Sequence, residues 1–472
     1  MGVQENLQAI FYPESVAIVG ASNVKEKWGA TILTNLLAGG FEGSIYPVNL
    51  REREILGMRA YRDVKEIPGN VDMAFITTPS HAVREIIGDC VERGIKGAVI
   101  ITSGFSEIGE EGETLEDEVV KIAKKGGMSI VGPNTMGILC GSSNLSATRI
   151  FVKPQKGGIS FISQSGNLGV QLLFWAMERG LNIEKFIGSG NEGDLHCEDF
   201  IEFLYEDQHT KMILLYLEGL HDGSRFINSA KRIVKEKPII ALKAGRTNAG
   251  KSAALSHTGT MSGSMHVYEA CFKQSGVIMV SSATELMDLA NACGNLPLPK
   301  GNKVAVVSMG GGWGVLTADA CNEHGLELPS LTPDLITTLD QLLPSFWSKG
   351  NPIDLVGVGE PEVHMAIMEK LVQSHSIDSV IFLGTLTGYG GTPEGDAEAG
   401  HEQHSTTFLE FINYLVQWYE KPIVCVPMGS GRDDPLRFDE EFRKYVYPTL
   451  ERAASALAGL SHYSGYVRKN EG

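Results

Sequence analysis

Short apolar runs alternating with helical stretches predict an α/β protein of three doubly wound domains. Three observations carry this. The first third repeats a strand, turn and helix pattern several times, and parallel sheets are built from such repeats. The pattern restarts twice after polar breaks rich in Gly and Pro. The 472 residues correspond to about three domains at roughly 150 residues each. The expected bounds are 1–128, 129–298 and 299–460, with a polar tail over 461–472.

In the first domain Ser15 to Gly20 (SVAIVG) reads as a strand and 28–38 as a helix. Strands follow at 44–48, 73–76, 98–101 and 129–131, with helices at 81–93 and 112–126. Lys153-Pro154-Gln155-Lys156-Gly157-Gly158 is a polar link. The second series has strands at 159–162, 183–188, 212–217 and 238–243. The third starts after Pro297-Leu298-Pro299, with strands at 303–308, 379–384 and 422–427. A final amphipathic helix carries Leu450, Ala454, Leu457 and Leu460.

Composition narrows the class. The chain is 43% hydrophobic, and 40 Lys and Arg stand against 57 Asp and Glu, a net charge of -17. That balance argues against nucleic acid or a membrane surface as a partner. No apolar run reaches the roughly 20 residues of a membrane span, and the start lacks a basic segment followed by an apolar one. Asn6 stands where a myristoylation motif wants Ser or Thr. The seven cysteines form no C-x-x-C pair; they read as reduced packing residues of a cytoplasmic protein.

His257 lies in Ala254-Leu255-Ser256-His257-Thr258-Gly259-Thr260, small residues and glycines that suit a loop rather than a core. A neutral imidazole is a good nucleophile toward phosphorus. Glu218 closes the apolar run 212–217; a carboxylate there can fix one imidazole nitrogen and leave the other to react. The competing reading is a surface Glu at a strand end. Phosphate needs backbone amides at the start of a helix. Two such turns are Ser163-Gln164-Ser165-Gly166 and Ser308-Met309-Gly310-Gly311-Gly312, and together they could hold one phosphate from two sides.

The first strand ends in Gly20-Ala21-Ser22, a turn suited to a nucleotide phosphate, although not G-x-G-x-x-G. After the second strand comes Val48-Asn49-Leu50-Arg51, with no acid to hold a ribose diol. Arg51 and Arg53 suit an extra phosphate, on NADP or coenzyme A. A plain geometric turn is the alternative. Gly245 to Ser252 obeys G-x-x-x-x-G-K-[ST], but glycines soon after it oppose the helix a P-loop requires. His401-Glu402-Gln403-His404 is one residue short of a zinc motif and reads as a solvated loop; no metal site is expected.

With these residues in view, the chain resembles the α subunits of nucleoside-diphosphate-forming acyl-CoA synthetases, relatives of succinyl-CoA synthetase. The resemblance runs from about residue 8 to 450. It is carried by Val16 to Ser22, Ile45 to Asn49, Ser103 to Gly112, Gly132-Pro133-Asn134, Ser163 to Gly166, Ala244-Gly245-Arg246, Ser256 to Gly259 and Asn351 to Leu355. It implies a Rossmann-like CoA-binding domain followed by two flavodoxin-like ligase domains. CoA would meet Gly20, Ala21, Ser22, Val48, Asn49, Arg51, Pro79, Ser103 and Asn134. His257 would be phosphorylated and Glu218 would orient it. Ser165, Gly166, Gly311 and Gly312 would bind phosphate.

The resemblance also implies a separate ATP-grasp β subunit holding ATP or ADP with Mg, in an α2β2 assembly, and a small carboxylic acid as substrate. The family's usual Asn-Pro-Lys is Asn49-Leu50-Arg51 here, and Thr135-Met136 replaces its frequent Cys-Leu. Two other functions compete: a CoA-binding scaffold without turnover, opposed by His257 and Glu218, and an oxidoreductase, opposed by the missing ribose acid.

Overall fold

The computed structural model describes residues 2–252, 264–386, 397–428 and 440–470, without the side chains of 397–407 and 440. The chain divides into two compact units, Met1–Ser281 and Ser282–Gly472.

The first unit holds two sheets. Strands β1 (Ser15–Val19), β2 (Ser44–Val48), β5 (Met73–Ile76), β6 (Gly97–Ile100) and β7 (Ser129–Val131) form one, all parallel, in the order β2-β1-β5-β6-β7. A small antiparallel ribbon, β3 (Glu54–Ile55) and β4 (Met58–Arg59), follows β2. β1, β5, β6 and β7 are buried at every position, as a sheet covered on both faces requires. The chain leaves β1 toward β2 on one side and reaches β5 on the other. Ligand crevices of parallel sheets open at the carboxyl ends of strands at such a reversal.

The second sheet contains β8 (Gly137–Cys140), β9 (Leu145–Thr148), β10 (Ile159–Ser163), β11 (Ile183–Gly188), β12 (Met212–Leu217), β13 (Ile239–Lys243) and β14 (Ile278–Val280). Its order is β14-β13-β12-β10-β11-β8-β9, with β8 and β9 antiparallel at one edge. That hairpin was not expected, nor was helix Val3–Phe11 at the start. Helix Val3–Phe11 leads to Tyr12, whose hydroxyl donates to Asp207 at 2.7 Å and accepts from the buried Lys185 at 2.8 Å. Lys185 in turn pairs with Asp207 at 2.7 Å.

The second unit begins with helix Ala283–Asn295, ahead of the proline break. Its parallel sheet contains β15 (Val304–Ser308), β16 (Ile353–Asp354), β17 (Ser379–Gly384) and β18 (Ile423–Pro427), in the order β16-β15-β17-β18. The last helix is Leu450–Asn470, so 461–470 is helix and not a polar tail. Ser461, Tyr463, Ser464 and Val467 continue the buried stripe of Leu450, Leu457 and Leu460 at helical spacing. Arg452 ties this helix to Asp288 through Nε at 2.6 Å. Residues 401–404 also differ from expectation: they lie in helix Ala397–Tyr419, continuous with the apolar stripe Phe408, Leu409, Ile412, Leu415 and Val416.

Candidate active site

The turn after β10 fixes one wall of the site. Ser163 is fully buried, and its Oγ donates to the Ser165 carbonyl at 2.8 Å. Ser165 then caps helix Gly166–Glu178 with extended backbone and no side-chain cap bond. The leading amides of that helix are therefore available at the positive end of its dipole. Gly169 lets the helix close on the strand: a Cβ there would stand 2.5 Å from Ser163 Oγ.

The adjacent wall is the end of β12. The Gln164 Oε1 accepts from the backbone N–H of Glu218 and, at 3.0 Å, from that of Gly219. The Gln164 Nε2 donates to the Gly219 carbonyl at 2.9 Å. From the other side Lys243 Nζ donates to the Glu218 carbonyl at 2.9 Å. A strand-end dipeptide is thus held by side chains from the turn after β10 and from the end of β13.

The third wall is the turn 189–196 after β11. Asn191 Nδ2 donates to Glu107 at 2.7 Å, Glu116 at 3.0 Å and Ser106 at 3.1 Å, and its Oδ1 accepts from Asn134 at 3.2 Å. Burial would raise the Glu107 pKa, but the bonds from Asn191 and from the Gly104 and Phe105 amides overcome it and hold the carboxyl down. Glu192 and Asn134 both take left-handed backbone (φ 55° and 58°). Burial pushes Glu192 up to about 7 against bonds from Ser189 and Gln164, with the Glu198 charge adding to the rise. The His196 ring stacks on His221 with centroids 4.0 Å apart. Burial alone would lower the His196 pKa; the Asp199 bond and the Glu192 charge raise it.

These walls enclose a cavity of about 680 Å³. It collects Ser103, Asn134, Ser165, Gly166 and Glu218 from the expected set. It also brings in Gln164, Glu107, Asn191, Glu192, His196 and His221, which the sequence reading had not assigned to a site. Asn191 and Glu192 occupy one more glycine-bearing strand-end turn, Gly188-Ser189-Gly190-Asn191-Glu192-Gly193, and that signal was available. His257 lies outside the described residues.

Gly20, Ala21, Ser22, Val48, Asn49, Arg51 and Pro79 do not line the cavity; they gather along the carboxyl edge of the first sheet. Asn49 Nδ2 donates to the Ala21 carbonyl at 2.8 Å, and its Oδ1 accepts from the Arg51 amide at 2.8 Å, which presents an exposed Arg51. A Cβ on Gly29 would stand 2.1 Å from the Gly20 carbonyl oxygen, so helix Trp28–Gly39 starts hard against this turn, without a side-chain cap. Open amides beside exposed arginines fit a phosphate-bearing nucleotide. Trp28, the first residue of that helix, reaches the cavity lining.

In the second unit, Ser308 Oγ donates to the Gly310 carbonyl at 2.8 Å and helix Gly311–Glu323 begins without a side-chain cap. A Cβ on Gly311 would lie 2.9 Å from Asp354 Oδ2, so this helix start already faces a carboxylate. In the P-loop-like run the Gly250 amide donates to Thr247 Oγ1 at 3.1 Å and the Lys251 amide to the Thr247 carbonyl at 2.8 Å. Those amides are spent on a helical turn instead of cradling a phosphate. Among the described residues no cluster is placed to hold a metal, and no helix is long and apolar enough to cross a membrane.

Comparison with known proteins gives the family. Residues 14–141 match a CoA binding domain, 156–293 a succinyl-CoA ligase like flavodoxin domain, and 304–389 a ligase-CoA domain. The chain is 44% identical to acetate–CoA ligase (ADP-forming) II subunit alpha of Pyrococcus furiosus, over 96% of both chains. It is 36% identical to the corresponding subunit of ligase I from the same organism, over 99% of both. Its structure matches the dinucleotide forming acetyl-coenzyme A synthetase 1 of Ca. Korarchaeum cryptofilum, in complex with phosphate and ADP, with a TM-score of 0.88, 35% identity and 99% of both chains covered. The chain belongs to the family of α subunits of ADP-forming acyl-CoA synthetases, acid–thiol ligases related to succinyl-CoA ligase.

Proposed function

We propose that this chain carries the CoA and phosphate half of the ligase reaction through a phosphohistidine at His257. Inorganic phosphate attacks the carbonyl carbon of an acyl-CoA, the carbon–sulfur bond breaks, and CoA thiolate and an acyl phosphate form. An imidazole nitrogen of His257 then attacks phosphorus, the carboxylate leaves, and phosphohistidine remains. Glu218 holds the other imidazole nitrogen, and the helix start at Ser165-Gly166 offsets charge on the phosphoryl oxygens. The phosphoryl group finally passes to ADP with Mg on an ATP-grasp β subunit, giving ATP from an α2β2 assembly. Every step reverses.

The observation that carries this reading is the convergence of Glu218, the uncapped helix start at Gly166, Ser103 and Asn134 on one cavity. CoA would lie along Gly20, Ala21, Ser22, Val48, Asn49, Arg51 and Pro79, with its thiol end toward Ser103 and Asn134. The helix start at Gly311-Gly312 would supply a second set of amides for phosphate. The substrate is a small carboxylic acid or its acyl-CoA. Incubation with acetyl-CoA and radiolabelled phosphate tests the reading: acid-labile, base-stable label is expected on the wild type and none on His257→Ala. Absence of label on the wild type, with its partner subunit present, would overturn it.

A further inference from the structure

Lys243 is the last residue of β13 and is 2% exposed. Its ammonium sits over the Tyr268 ring, 4.8 Å from the centroid. Two of its hydrogens go to backbone carbonyls, that of Glu218 at 2.9 Å and that of Ala244 at 2.6 Å. Burial lowers its pKa while the Glu218 charge opposes the drop. A buried cation is costly unless its hydrogens are well placed. Here they are placed on two chain segments, the turn after β12 and the end of β13.

Those segments are informative. Glu218 opens the turn after β12, and Ala244 begins the stretch that leads to His257. Tyr268 adds a tie on the far side of that stretch. It lies on helix Met265–Ser275, and its hydroxyl accepts from the Leu220 amide at 3.1 Å. The turn 218–220 is therefore bonded to residues on both flanks of the segment carrying His257. Gln164 holds the same turn from the turn after β10.

We propose that Lys243 is a positioning residue for phosphoryl transfer, clamping the turn that opens with Glu218 to the end of β13 and so fixing the backbone from which the Glu218 carboxylate works. This rests on the assignment of His257 and Glu218 made above. Lys243 touches neither substrate nor phosphate; it acts through Glu218. A group of that kind affects the rate of the step without affecting substrate binding.

The test uses the full chain with its partner subunit, acetyl-CoA and radiolabelled phosphate, followed by rapid quench. Lys243→Met is expected to slow phosphohistidine formation about 10- to 100-fold, the scale of a lost charged hydrogen bond, with KM for CoA and phosphate within about twofold. In a Glu218→Ala background the same change should cost nothing further, because its effect passes through Glu218. Lys243→Gln, which keeps a polar head without the charge or the reach, serves if the Met variant does not fold, and the same loss is expected. An unchanged rate in a folded variant, or an equal loss with and without Glu218, overturns the proposal. An unlabelled wild type would instead sink the phosphohistidine reading, so the two failures are distinct.

Discussion

Ser163 Oγ donates to the carbonyl of Ser165 at 2.8 Å, and in the second unit Ser308 Oγ makes the same 2.8 Å bond to the carbonyl of Gly310. Each bond turns the chain out of a strand and leaves the following helix without a side-chain cap. The repeated turn is a local device for offering amides. Ser163→Ala is expected to lower stability by about 1 kcal/mol, the net worth of a buried hydrogen bond. It should also raise KM for phosphate several-fold, measured by steady-state kinetics with phosphate varied. An unchanged KM would separate the turn from phosphate binding.

Gly169 and Gly312 sit in the first turns of their helices but face different surroundings. A Cβ on Gly169 would meet Ser163 Oγ at 2.5 Å and Ser163 Cβ at 2.7 Å, whereas one on Gly312 would meet nothing within 4 Å. Gly169→Ala should cost about 1–3 kcal/mol by overpacking. Gly312→Ala should be neutral or stabilising by up to about 1 kcal/mol through helix propensity. Thermal melts of the two variants decide this, and a similar loss in both would contradict it.

The parallel strands were legible because their burial is continuous. β5 (MAFI) and β6 (GAVI) are buried at every position and read as unbroken apolar runs. The β8–β9 hairpin is buried just as fully but was not seen. Its Ser146 and Thr148 satisfy their hydroxyls on the Val152 and Ile150 carbonyls, bonds that leave no apolar pattern. The final ten helical residues were missed for a similar reason, since Ser461 and Ser464 look polar while the helix buries them as small residues. At the site, strand ends pointed to Ser165, Gly166 and Glu218. Gln164 and Asn191 lie in strand-end turns that the letters do mark, but what their side chains and that of Lys243 hold could not be read, because those partners lie far along the chain and only the fold pairs them.

Glu192 gives a pH signature. Its carboxyl is pushed up to about 7 by burial, against about 4.3 in an unfolded chain. The folded state then binds more protons than the unfolded state between those values, so stability falls as pH rises from about 4.3 to 7 and levels beyond. Glu192→Gln removes the titrating group and should flatten that decline. Urea melts across the interval read it directly. A variant whose pH slope equals that of the wild type would show that Glu192 ionises normally.

The opposite sign holds where helix Val3–Phe11 leads into the second sheet. Burial alone would raise Asp207, but Lys185, Thr210 and Tyr12 donate to it and hold the carboxyl down to about 2. A depressed carboxyl contributes stability above its unfolded pKa of about 3.9, and that contribution is lost as pH falls toward 2. Asp207→Asn leaves the ammonium of a fully buried Lys185 facing a neutral amide, and breaking a buried pair costs about 3–5 kcal/mol. The double variant Lys185→Met, Asp207→Leu removes that pair and should cost less than the single change, both made in a Glu184→Gln background because Glu184 Oε1 lies 3.4 Å from Lys185 Nζ. Chemical melts at pH 7 and 3 provide the comparison: the wild type should lose stability at the lower pH, and the double variant should lose less. If the double variant proved the weaker protein at neutral pH, the pair would be stabilising in its own right and not merely costly to break.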